Sequence, residues 1–95
     1  MLKLEQIISA ATLVAKEFPI KNITLFGSYA EGSNTPDSDV DLLIEFYTHS
    51  VSLLTLSAIK NRIEDMLQTD VDIIRAPLPA DSLIEIGKAV EIYAA

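Results

Sequence analysis

Residues 24–44 of this chain read Thr-Leu-Phe-Gly-Ser-Tyr-Ala-Glu-Gly-Ser-Asn-Thr-Pro-Asp-Ser-Asp-Val-Asp-Leu-Leu-Ile, and no other stretch narrows the possible folds as much. Branched and aromatic residues at 23–26 predict a short strand that runs into the turn Gly27-Ser28. Gly32, Asn34 and Pro36 punctuate the loop that follows. A short helical turn over 28–31 fits inside that loop and aims backbone N–H groups at an anion. Residues 38–46 then alternate, which predicts a second strand. Side chains on a strand take alternate faces, so Asp39 and Asp41 share one face while Val40, Leu42, Ile44 and Phe46 point into a core. The connection of about a dozen residues is too short for a crossover helix, so the two strands are expected to pair antiparallel.

The rest of the chain supplies layers for this pair. Residues 3–18 carry Leu4, Ile7, Ile8, Ala11, Ala15 and Phe18 at helical spacing, with Pro19 as the stop. Residues 20–22 read as a connector. Leu53, Leu56, Ile59, Ile63, Met66 and Leu67 predict a second amphipathic helix, capped by Ser50 or Ser52. Residues 70–74 predict a third strand, with Asp70, Asp72 and Ile74 on one face and Val71 and Ile73 on the other. Pro77 and Pro79 bracket a loop, after which Leu83, Ile86, Val90 and Tyr93 predict a last helix. The order αββαβα implies an α+β fold: a small mixed sheet of three to four strands with helices packed mainly on one face.

Composition sets the outer limits. Ninety-five residues suit one small domain, expected to span 1–95, and 49% hydrophobic residues support its core without staples. The absence of cysteine excludes disulfides and thiolate metal sites. No secretory signal or membrane span is expected, which makes a cytoplasmic protein the default. Fourteen acidic residues against seven basic ones give a net charge of −7, and the basic residues are scattered. Direct nucleic-acid binding is therefore not expected, since phosphate backbones need clustered Lys and Arg. An acidic surface suits a basic protein partner, and it equally keeps a small domain soluble. His49 has no partner at ligand spacing, and Arg75 reads as a surface residue.

Singly, a Gly-Ser is a turn and an Asp-x-Asp at a strand start is a solvated feature. Together they point to metal beside phosphate: two carboxylates on a rigid strand suit a divalent cation, and a glycine turn lets backbone approach an anion. The run Phe26-Gly27-Ser28-x10-Asp39-x-Asp41, with Ser38 adjoining, closely resembles the signature of the DNA polymerase beta-like nucleotidyltransferases. Within that superfamily it is most similar to the minimal nucleotidyltransferase (MNT) domain, the antitoxin partner of HEPN-domain toxins. The resemblance runs from the first helix to Ile92-Tyr93.

It implies the nucleotidyltransferase fold, with Asp72 at the place of the third acidic residue and Asp70 as the runner-up. It implies one or two Mg²⁺ ions at Asp39, Asp41 and Asp72, and ATP phosphates at Gly27 and Ser28. The activity implied is transfer of AMP from ATP to a tyrosine of a cognate HEPN toxin ribonuclease, which silences it. A chain this short leaves no room for an acceptor-binding domain. The acceptor is therefore expected on the toxin, in a hetero-oligomer, or at a second copy in a homodimer. Two other readings stand beside this one: an antitoxin that neutralises by binding alone, and a transferase for a small molecule such as an aminoglycoside. One position departs from the pattern: Glu31 stands where many relatives carry a basic residue.

Overall fold

The computed structural model describes residues 3–33, 35, 38–48, 50–76 and 89–95. Helix α1, Leu4–Ala15, buries Ile7, Ala10, Ala11, Val14 and Ala15. Its first turn is tied by the Lys3 backbone N–H, which donates to Gln6 Oε1 at 2.8 Å. The helix closes earlier than Pro19 requires, and residues 16–19 form a turn that leaves Phe18 packed against the core.

Strand β1, Ile20–Phe26, takes in the residues expected as a connector. The single turn α2, Ser28–Glu31, follows, and then β2, Val40–Phe46, which begins one residue after Asp39. Helix α3, Leu53–Leu67, is capped by Ser52, whose Oγ accepts the Thr55 N–H at 3.2 Å. Strand β3 is Val71–Ala76 and β4 is Val90–Ala94.

The four strands form one mixed sheet in the order β3-β2-β1-β4. β1 pairs antiparallel with both β2 and β4, as the short β1–β2 connection demands, while β2 and β3 are parallel with α3 as their crossover. Ile23 lies opposite Ile44 and Leu25 opposite Leu42, and these four are fully buried. With Val40 and Val71 they form one core with Ile7, Val14, Ile59 and Ile63, so α1 and α3 close one face of the sheet. The period-2 pattern puts Thr24, Phe26, Asp41, Leu43, Asp72 and Ile74 on the other face.

The chain's end corrects the expected order. Val90 and Tyr93 lie on β4, not on a helix. The spacing of 83, 86, 90 and 93 fits a helix, but Val90, Ile92 and Tyr93 are also strand formers. The unpaired edge of β1 decides between the two by offering backbone partners. Leu83 and Ile86 lie outside the described residues, as does His49.

Arg75 also departs from expectation. It is half-buried at the end of β3, donates to the carbonyls of Val51 (3.4 Å) and Thr48 (3.3 Å), and stands 5.9 Å over the Phe46 ring. It fastens the β2–α3 connection and has little freedom to reach a ligand.

Candidate active site

Two independent demands fix glycine at position 27. Its φ of 76° lies in a region that side-chain-bearing residues rarely adopt, and a Cβ there would overlap the Asp41 carboxylate, with Cγ only 3.1 Å away. The turn it opens is closed by Ala30 and Glu31, whose N–H groups donate to the Gly27 carbonyl at 3.1 and 3.0 Å. Gly32 ends it with a φ of 76° but faces open space, so only its backbone angle matters. Ser28 heads this turn and is half-buried; Glu31 ends it, exposed.

Asp41 lies between two strands. In the antiparallel ladder it faces Phe26, and in the parallel ladder its Cα partner is Asp72. The two carboxylates therefore stand on neighbouring strands, at one height and on one face. The Asp41 carboxyl is pushed above its ordinary pKa, first by burial, then by the charge of Asp72, then by that of Asp39. Asp39 itself is exposed just ahead of β2. Among the described residues no three His, Cys, Asp or Glu side chains come together as a set that could hold a metal ion, so the structure does not assemble Asp39, Asp41 and Asp72 into the expected three-carboxylate site. Any ion held here would complete its shell with water or ligand oxygens, which is how Mg²⁺ is commonly bound. The donor set fits that ion: hard carboxylate oxygens with uncompensated negative charge.

Asp70 and Asp72 are both exposed, and the fold gives them different surroundings. Asp70 contributes its backbone carbonyl, which accepts the Val40 N–H at 3.0 Å. Asp72 instead lines, with Asp41, an open cleft of about 700 Å³, whose other described walls are Phe26, Leu53, Leu56, Ser57, Lys60, Ile73 and Ile74. Asp39, Gly27 and Ser28 are not among these lining residues. Ser57 and Lys60 were not singled out by the sequence reading. Their only sequence signal is the four-three spacing from Leu53 along α3, which acquires meaning once the helix is docked.

A glycine turn closes on a half-buried aspartate, which pairs in register with a second acid beside an open cleft, all on the uncovered face of an α+β fold. Residues 7–92 match the family described as "Nucleotidyltransferase domain", and the chain belongs to that family.

More particular relatives follow. The protein adenylyltransferase MntA of Thermococcus cleftensis is 38% identical over 78 residues, 78% of this chain and of its own. MJ0126 and MJ1217 of Methanocaldococcus jannaschii are 41% and 37% identical over 59 and 62 residues. Those matches take in 62% and 65% of this chain but 59% and 62% of theirs, so the chain spans about six-tenths of these two relatives. A chain of the MntA–HpeT toxin–antitoxin crystal structure superposes with a TM-score of 0.76, at 14% identity, over 93% of this chain and 73% of the other. A complex of MNT antitoxin with tri-AMPylated HEPN toxin from Shewanella oneidensis gives a TM-score of 0.70 at 14% identity, over 96% and 72%. At such identities the likeness is one of fold.

Proposed function

We propose that this chain is a minimal nucleotidyltransferase domain acting as an antitoxin: it transfers AMP from ATP to a tyrosine of a partner HEPN toxin ribonuclease and silences it. The observation that carries the reading is the in-register pair Asp41–Asp72 beside a glycine turn, with the Asp41 carboxyl pushed above its ordinary pKa first by burial and then by its acidic neighbours. Acids that repel one another are poised for a divalent cation. The naming of MntA as a protein adenylyltransferase supports the activity, and the AMPylated toxin in the Shewanella complex supports the partner.

In this reading Asp39, Asp41 and Asp72 would hold one or two Mg²⁺ ions together with water and phosphate oxygens, and the metal would supply Lewis-acid neutralisation of the triphosphate. Gly27 and the Ser28 hydroxyl and N–H receive the β- and γ-phosphates. The tyrosine oxygen forms a bond to the α-phosphorus, the bond from that phosphorus to the bridging β-phosphate oxygen breaks, and pyrophosphate leaves. The tyrosine proton passes to Asp72 or through it to water. The acceptor comes from the toxin, in a hetero-oligomer working in the cytoplasm. No helix among the described residues is long and apolar enough to cross a membrane.

Intact mass of the toxin, before and after incubation with this protein and Mg-ATP, tests the proposal. One or more adenylyl increments are expected with wild type and none with Asp41→Asn. An unmodified toxin that is nevertheless inhibited equally by both proteins would establish the binding-only antitoxin instead.

A further inference from the structure

We infer that Lys60 holds the polyphosphate of the nucleotide in the cleft; this rests on the transferase reading only in taking the ligand to be a nucleoside triphosphate. Leu53, Ser57, Lys60 and Glu64 recur at intervals of four, three and four, and so form one stripe along α3. Both ends of that stripe are located. Glu64 reaches the start of β3, where its carboxylate accepts the Val71 N–H at 2.9 Å. Leu53, Ser57 and Lys60 line the cleft that Asp41 and Asp72 also line, reaching it past β3, the end strand of the sheet, because α3 packs on the other face. The helix therefore lies along β3 with Lys60 one turn from the Glu64 anchor, its ammonium carried on a long flexible stem.

Charge makes this placement consequential. A triphosphate entering beside two carboxylates brings more negative charge than one divalent ion cancels. The α2 turn offers no cation, because its last residue is Glu31. Of the described residues lining the cleft, Lys60 is the only cation. The other described cations near α3 are committed: Arg75 to the carbonyls of Thr48 and Val51, and Arg62 to Glu17 at 2.7 Å. Lys60 forms no ion pair among the described residues. Position 60 thus supplies from the helix the positive charge that the turn lacks.

The test is nucleotide binding by equilibrium dialysis with Mg²⁺, which needs no toxin and no turnover. Lys60→Gln is expected to weaken ATP binding at least tenfold and AMP binding less than threefold, since AMP lacks the β- and γ-phosphates. Lys60→Arg should recover most of the loss. The ATP affinity of wild type should also fall more steeply with salt than that of Lys60→Gln. Unchanged ATP affinity in Lys60→Gln, an equal loss for AMP, or a wild type that binds no ATP each overturns the inference. Failure of the antitoxin reading looks different: ATP binds and depends on Lys60, but the toxin gains no mass. Lys60 is exposed, so its replacement should leave the melting temperature within a few degrees.

Discussion

Folding removes part of the water around the Asp41 carboxyl and places it beside Asp72 and Asp39, so its charged form is less comfortable in the native chain than in the unfolded one. The native pKa lies above the unfolded value, and the sign of the pH effect follows. Below both values Asp41 is protonated in either state and costs nothing. As pH rises through the unfolded and then the native pKa, the unfolded chain releases its proton first, and stability is lost across that window. Asp41→Asn should therefore stabilise the metal-free protein at neutral pH by about 0.5–1 kcal/mol, the scale of like charges opposed across a sheet. The gain should vanish as pH falls below the ordinary carboxylate range. Mg²⁺ should raise the melting temperature of wild type and leave that of Asp41→Asn nearly unmoved. Thermal melts at pH 3.5 and 7, with and without Mg²⁺, check all of these. A variant less stable than wild type at pH 7 would mean that the carboxylate is a structural hydrogen-bonding group, not a charge held in reserve.

Among the elements, α3 sets the site, and its C-terminal end shows where the chain gives up stability. Gln68 closes the helix in the left-handed conformation, φ 54° and ψ 41°, with its N–H on the Glu64 carbonyl at 2.7 Å. Glycine adopts that conformation without the penalty of a Cβ, so Gln68→Gly should gain about 0.5–1 kcal/mol, read from denaturant midpoints at unchanged slope. A loss would show that the Gln68 side chain, bonded to the Asp65 carbonyl at 2.7 Å, outweighs its backbone cost. No glycine marks this helix end, yet the apolar stripe from Leu53 to Leu67 already spanned the helix. β2 was legible from its period: Val40, Leu42, Ile44 and Phe46 alternate with half-exposed neighbours, and only a strand with one buried face uses that period. The same alternation placed Asp41 on the open face. The partnership of Asp41 with Asp72 was not in the spacing, because it depends on the parallel register, which α3 imposes across the crossover. Lys60 was hidden in the same way, since a helix shows its stripes in sequence but not which one meets a cleft. β4 was misread because four apolar positions satisfied two periods, and the choice between them lay with a distant strand.

For the whole molecule, the excess of seven negative charges has to be weighed against a partner. In the proposed reading that partner is a ribonuclease, whose RNA-engaging surface is basic, and an acidic chain is drawn to such a surface before any contact forms. Such steering acts on encounter more than on residence: long-range attraction fades once the Debye length, about 10 Å at 0.1 M salt, falls towards 3 Å at 1 M, while apolar contacts persist. The association rate with the toxin is therefore expected to drop at least tenfold between 0.05 and 0.5 M NaCl, with the dissociation rate changing less than threefold, as surface plasmon resonance would measure. Asp41→Asn removes one charge from a site meant for metal and nucleotide, so it should bind the toxin nearly as wild type does while failing to modify it. An association rate flat in salt would assign the acidic surface to solubility alone. If Asp41→Asn also lost its grip on the toxin, the carboxylate would belong to the protein–protein contact, and the separation between holding the toxin and marking it, on which the enzymatic reading depends, would be gone.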